Sequence, residues 1–323
     1  MPGLPLMRKA LLFIAGLAIV SGIVILLFSF GVKEKTQSNG RLTVAASFYP
    51  LAHFAQKAAG QDIEVYMITP AGAESHDFEP TPRDIRKVRN SDIFIYNGAG
   101  LDPWAERVAP TLEQAGVRTI EMTAHFSLMS VEKDEHDHED DGHGHEDGAF
   151  DPHIWLDPLL SAEQVTLIGQ ALAAADPANA ASYQSRSSQY AGELKQLHEE
   201  YSKGLSNCGT RDLIVAHDAF SYLAKRYNLN IMPVTGVFSG EEPSPKRIAE
   251  VARLAREKSI RYIFFEPLAS PKIAETIARE TGAEVLELNP LESLTKEEAT
   301  AGEDYISIMR ANLTNLRKAL QCI

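Results

Sequence analysis

The sequence predicts an α/β protein of two lobes, each built on a mainly parallel sheet, joined by one long connecting helix. Three observations carry that expectation. Apolar, β-branched runs alternate with amphipathic segments from Arg41 to Ile120 and again from Asp212 to Leu320, and such alternation predicts parallel strands with helices on both faces. Between the two runs, Tyr183, Tyr190, Leu194, Leu197, Tyr201 and Leu205 recur at intervals of seven, four, three, four and four, which is one face of a helix. The length of 323 residues also suits about two domains.

Taken in order, Arg41–Ser47 reads as a first strand, followed by a helix from Tyr49-Pro50 to about Gly60. Ile63–Ile68 is a second strand, and Pro70–Pro80 a loop by its proline and glycine content. Pro82 opens a helix at its first turn, and Asp92–Asn97, Trp104–Gly116 and Val117–Ile120 continue as strand, helix and strand. Ser161–Ala175 is a helix, and Asp176-Pro177 starts the long one. The second unit runs as strand Asp212–Ala216, helix Ala219–Tyr227, strand Asn230–Thr235 and helix Ser244–Lys258. Strand Arg261–Phe265, helix Pro271–Thr281, strand Glu284–Leu288 and helix Tyr305–Leu320 close it. The expected division is 1–40, an N-terminal segment and linker; 41–175, the first lobe; 176–207, the connecting helix; and 208–323, the second lobe.

Residues 1–40 stand apart. Arg8 and Lys9 precede an apolar run from Ala10 to Gly31, and Lys33–Gly40 is polar. Leu11–Phe30 would extend about 30 Å as a helix, enough to cross a bilayer and long for the apolar part of a signal peptide. Export is therefore expected, with a retained anchor favoured over cleavage. No cysteine follows the run to accept a lipid. The two cysteines, Cys208 and Cys322, permit one disulfide in an exported protein; two separate buried thiols are the other reading.

The formal net charge is −13, which excludes the basic footprint of a nucleic-acid binder and suits cationic ligands. Much of it lies in Glu132–Asp147, where nine acids oppose one lysine around His136, His138, His143 and His145. Such a polar tract cannot bury enough apolar surface to fold, so 132–148 reads as a loop. Imidazole and carboxylate together suit borderline divalent metals, zinc above all. The loop is expected to collect zinc weakly, because nothing packed holds its histidines in place.

Four further residues, His76, His153, His217 and Glu292, lie in turns or just beyond expected strands. In open α/β sheets ligands gather outside the carboxyl ends of strands, and three imidazoles with one carboxylate could complete a four-coordinate zinc shell. They are far apart in the chain, and spacing alone would not assemble them. Asp77, Glu79, Asp151 and Asp157 flank them, either as acceptors for imidazole N–H groups or as solvated acids. Trp155 reads as packing, and His53, His125 and His198 as residues without a metal role.

Four separated motifs now matter together. Gly72-Ala-Glu-Ser-His76-Asp-Phe-Glu-Pro80, Asp151-Pro-His-Ile-Trp-Leu-Asp-Pro158, His217-Asp-Ala-Phe-Ser-Tyr-Leu223, and Phe265-Glu-Pro267 with Leu288-Asn-Pro-Leu-Glu292 resemble the zinc/manganese solute-binding proteins of ABC importers. The resemblance runs in order from about Leu42 to Leu320. It implies two α/β lobes joined by a long helix, with the metal between them, and ligands at His76, His153 and His217. It also implies a carboxylate near the end, here Glu292, with Glu287 and Glu297 as neighbouring alternatives. Manganese members carry glutamate where His217 stands, so zinc is the expected ion and manganese the alternative. The resemblance further implies a monomer, not an enzyme, that serves a membrane permease and its ATPase. Two other readings are a zinc hydrolase, against which stands the absence of a His-Glu-x-x-His helix, and a metal-binding adhesin on the cell surface.

Overall fold

A computed structural model describes residues 41–131, 150–237 and 242–323. The N-terminal segment 1–40 and the tract holding His136, His138, His143 and His145 lie outside the described residues. Among the described residues, no helix is long and apolar enough to cross a membrane.

Two sheets of four parallel strands are present, with one topology used twice. The first contains β1 (Thr43–Ala46), β2 (Glu64–Met67), β3 (Ile93–Tyr96) and β4 (Arg118–Glu121), in the order β2-β1-β3-β4. The second contains β5 (Asp212–Val215), β6 (Asn230–Pro233), β7 (Tyr262–Phe265) and β8 (Glu284–Glu287), in the order β6-β5-β7-β8. Central strands β1 and β3 are buried along their whole length, as expected for parallel strands covered on both faces. In this order the chain reverses direction across the sheet between β1 and β3, and between β5 and β7. Ligands collect at such points.

Helices α1 (Tyr49–Ala59), α2 (Pro82–Asn90) and α3 (Pro103–Gln114) connect the first sheet. Each has proline in its first turn, where the missing N–H costs no hydrogen bond. Helix α4 (Pro158–Ala175) begins earlier than the sequence reading placed it, because Pro158 is its first residue and Asp157 caps it by accepting from the Leu159 N–H at 2.9 Å. After a 3-10 turn at Pro177–Asn179 comes the long helix α5 (Ala180–Gly204), 25 residues and therefore about 37 Å long. Its buried face is Tyr183, Ser187, Tyr190, Ala191, Leu194, Leu197 and Tyr201, which contains the stripe read from the sequence up to Tyr201; Leu205, the last residue of that stripe, is the buried C-cap. Helices α4 and α5 lie very close together: a Cβ on Gly169 would sit 2.3 Å from Ser187 Oγ, so only glycine fits there.

The second sheet is connected by α6 (Ser221–Tyr227), α7 (Pro245–Glu257) and α8 (Lys272–Thr281), followed by α9 (Lys296–Ala301) and α10 (Tyr305–Ala319). Helix α9 was not expected. Its six residues carry no apolar stripe, yet Thr295 and Glu298 form a reciprocal capping box and Gly302 ends it at φ 77°; the pattern Thr-x-x-Glu is a start signal in its own right. Tyr201 of α5 donates to the Met309 carbonyl of α10 at 2.6 Å, while Tyr190 on the same helix meets His53 of α1 at 2.8 Å. One helix is thus tied to elements that flank each sheet. Cys208 and Cys322, 114 positions apart in sequence, form a disulfide, pinning Cys322 beside the start of the second sheet's strands.

Candidate metal centre

The four residues singled out in the sequence come together. His76 enters from the loop after β2 and His153 from the segment after β4, just before the 3-10 turn Ile154–Leu156. His217 stands just past β5, and Glu292 in the loop after β8. One donor atom from each lies within 4.8 Å of all the others. His76 Nε2 and His217 Nε2 are each 3.5 Å from Glu292 Oε1, and His153 Nε2 is 3.7 Å away. Zinc–nitrogen bonds near 2.0–2.1 Å would set tetrahedral donors about 3.4 Å apart, so the opening is close to the size of one zinc shell. All four side chains are buried, none more than 5% exposed.

Each of two imidazoles is turned by a carboxylate on its far side. Asp151 Oδ1 accepts from His153 Nδ1 at 2.8 Å, and Glu266 Oε1 from His217 Nδ1 at 2.6 Å. This leaves the Nε2 atoms of His153 and His217 buried and without a hydrogen bond, directed at the common centre. Such pairs fix the tautomer and raise the basicity of a metal-binding histidine. Burial works against charge on His217, but Glu266 and then Glu292 outweigh it and hold the imidazole well above its ordinary range. For His153 burial is likewise outweighed, by Asp151 and Glu292. Burial also opposes the charge of Glu292, yet His76, Glu74, His153 and His217 together hold its carboxyl well below the ordinary range. Glu74 is pushed up to about 9, by burial first and then by the Glu292 carboxylate beside it.

The alternatives separate clearly. Glu287 remains on β8, and Glu297 is exposed in the first turn of α9; neither joins the cluster. Of the flanking acids, Asp151 alone holds a histidine. Asp157 caps α4 and pairs with Arg226 at 2.7 Å, Glu79 pairs with Arg107 at the surface, and Asp77 is exposed. His53 and His198 bond to tyrosine hydroxyls, and His125 is exposed. Glu266 and Glu74 were not assigned roles from the sequence. Glu266 could have been, because it stands immediately past β7 just as His217 stands past β5, at the crevice between the two strands. Glu74 carries no comparable signal.

Fold and donor set define a two-lobed α/β protein with a buried N₃O site suited to a single divalent transition metal. The chain belongs to the family described as zinc-uptake complex component A, periplasmic, whose model matches residues 44–319. It is 35% identical over 295 residues to the zinc-binding lipoprotein AdcA of Streptococcus pneumoniae strain R6, a match that covers 90% of this chain and 58% of AdcA. It is 33% identical over 310 residues to the high-affinity zinc uptake system protein ZnuA of Bacillus subtilis, covering 95% and 97% of the two chains. Among solved structures, the Zn(II)-bound ZnuA-like domain of S. pneumoniae AdcA superposes with a TM-score of 0.74 at 32% identity, covering 87% of this chain and 99% of that one. The laminin-binding protein Lmb of Streptococcus agalactiae, described as a bifunctional protein with adhesin and metal transporting activity, gives 0.76 at 32% identity, with 86% and 99% covered. The chain thus spans less than two thirds of the AdcA proteins it matches.

Proposed function

We propose that this chain is an extracytoplasmic zinc-binding protein that hands Zn²⁺ to the permease of an ABC importer driven by its ATPase. One observation carries the reading: His76, His153, His217 and Glu292 place a donor atom each within 4.8 Å of one another, in a buried setting. Zinc is favoured over manganese because three of four donors are imidazole, and manganese prefers oxygen. Zinc here is cargo, and a site closed by four protein donors leaves no position for a reacting water, so no enzymatic activity belongs to this reading. The names of the AdcA and ZnuA relatives support it. Residues 1–40 would hold the protein at the membrane, and the tract with His136, His138, His143 and His145 would collect zinc weakly.

Calorimetry on the purified chain should find one tight zinc site. Each of His76→Ala, His153→Ala and His217→Ala removes one of four donors and should abolish tight binding. Deletion of 132–147 should leave the tight site intact and remove only weaker binding. Unchanged tight binding in any histidine variant would sink the assignment.

The likeness to Lmb supports a second reading, adhesion to laminin, which need not exclude transport. Zinc-loaded protein that fails to bind immobilised laminin would remove it.

A further inference from the structure

Two side chains outside the donor set tie the donor loops to one another. Trp155, two residues after His153, is fully buried. Its indole N–H donates to the Pro290 carbonyl at 2.8 Å, two residues before Glu292. Ser75, just before His76, donates its hydroxyl to the carbonyl of Glu292 itself at 3.2 Å. The loop that receives both bonds is in an uncommon conformation. Leu291, between Pro290 and Glu292, has φ 58°, a region that costs a branched residue free energy and persists only when its surroundings impose it.

The surroundings do impose it. Leu291 N–H donates to Asn289 Oδ1 at 2.7 Å, and Asn289 is clamped by Asn312 of α10 through both its N–H and its carbonyl, at 2.9 and 2.7 Å. Trp155 is equally fixed. Its carbonyl accepts from Tyr305 Oη at 2.5 Å and Ser161 Oγ at 2.7 Å. Its ring packs edge-on against Phe48 at 4.8 Å, and the His153 ring lies 5.1 Å away.

We propose that Trp155 is a positioning residue: through the Pro290 carbonyl it sets the Glu292 carboxylate in register with His153. The inference deepens the zinc-binding reading and rests on it. Donor distances at zinc are tolerated only within about 0.2 Å. A rigid turn that carries one donor and grips the loop of another transmits position between them at that tolerance. Losing the N–H would leave the Pro290 carbonyl without this partner and would let the Glu292 end of the loop shift against the turn that carries His153.

Trp155→Phe removes the N–H and keeps an aromatic ring against Phe48. Zinc affinity, measured by competition with a chelator, should fall about 10–100-fold, the range for partners that orient a ligand. In a Glu292→Gln background the same change should cost less than about 2-fold, because the donor it positions is already impaired; non-additivity of this kind marks a pair acting as a unit. Equal losses in both backgrounds would mean general loosening and would overturn the proposal, as would no loss in either. If Trp155→Phe does not fold, a benzothienyl side chain introduced at 155, with sulfur in place of the N–H, asks the same question at unchanged shape. A wild-type chain that binds no zinc would overturn the function itself; a wild-type chain that binds, beside an unaffected variant, overturns only the role of Trp155.

Discussion

The two sheets share one strand order, yet the residue after the third strand does different work in each. After β3 stands Asn97, whose amide donates to the Pro152 carbonyl at 3.0 Å and so holds the backbone that carries His153. After β7 stands Glu266, which grips the His217 imidazole directly at 2.6 Å. The first lobe brings its candidate donors in on loops, His76 after β2 and His153 well beyond β4, and must brace those loops. The second places His217 at a strand end, where the sheet itself is the brace, and brings Glu292 in on a loop after β8 that is braced in turn. The lesson is that topology sets where donors can gather, while the reach of each loop decides whether the next polar residue must order a backbone or turn a ring.

A second contrast is covalent. The disulfide joins Cys208 to Cys322 within the second unit, and the first has no cysteine among its residues. Replacing both cysteines by serine should therefore lower global stability by about 2–5 kcal/mol, read by denaturant unfolding. Zinc affinity should stay nearly unchanged, since neither cysteine touches the donors. A large loss of affinity with little loss of stability would show that the staple acts on the site instead.

The Asn97–Glu266 contrast sharpens with pH. Glu266→Gln should weaken zinc binding about 10–100-fold at pH 7.5, and Asn97→Ala should weaken it less, because it loosens a backbone rather than a ring. The sign of the pH effect follows from the raised pKa of His217, which Glu266 and then Glu292 sustain against burial. A proton and the metal compete for Nε2, so wild-type affinity should fall as pH falls. Removing the Glu266 charge lowers the His217 pKa, so the variant should lose affinity less steeply on acidification. Equal slopes in the two proteins would break the idea that Glu266 tunes the ring.

The smallest effect is expected at helix starts. Thr81 caps α2 in a capping box with Asp84, and Thr295 caps α9 in one with Glu298. Each threonine-to-alanine change should cost about 1 kcal/mol. Only Thr295→Ala should also disturb the site slightly, because Glu298 holds the Asn289 amide at 2.9 Å, in the loop that leads to Glu292. Thermal melts with parallel zinc titrations would separate the two.

By itself the sequence determined the repeated strand–helix alternation, the buried stripe of α5 and three histidines in loops beyond strands. These are local signals: side-chain periodicity follows backbone geometry, and Pro82 or Asp157-Pro158 marks a helix start wherever it occurs. Through the family resemblance it also named Glu292 as the fourth candidate donor, with Glu287 and Glu297 left as alternatives. Which of the three side chains joins the histidine cluster needed the tertiary structure, because all three lie within a few residues and differ only in direction. Leu291 at φ 58° and the bonds from Trp155 and Ser75 turn Glu292 inward, while Glu287 ends a strand and Glu297 faces solvent on a helix too short to show a stripe. The roles of Glu266 and Glu74 were decided in the same way. Each acts on a residue distant in the chain, Glu266 on His217 and Glu74 on Glu292, and a partner that distant is set by packing between elements, which no local pattern records.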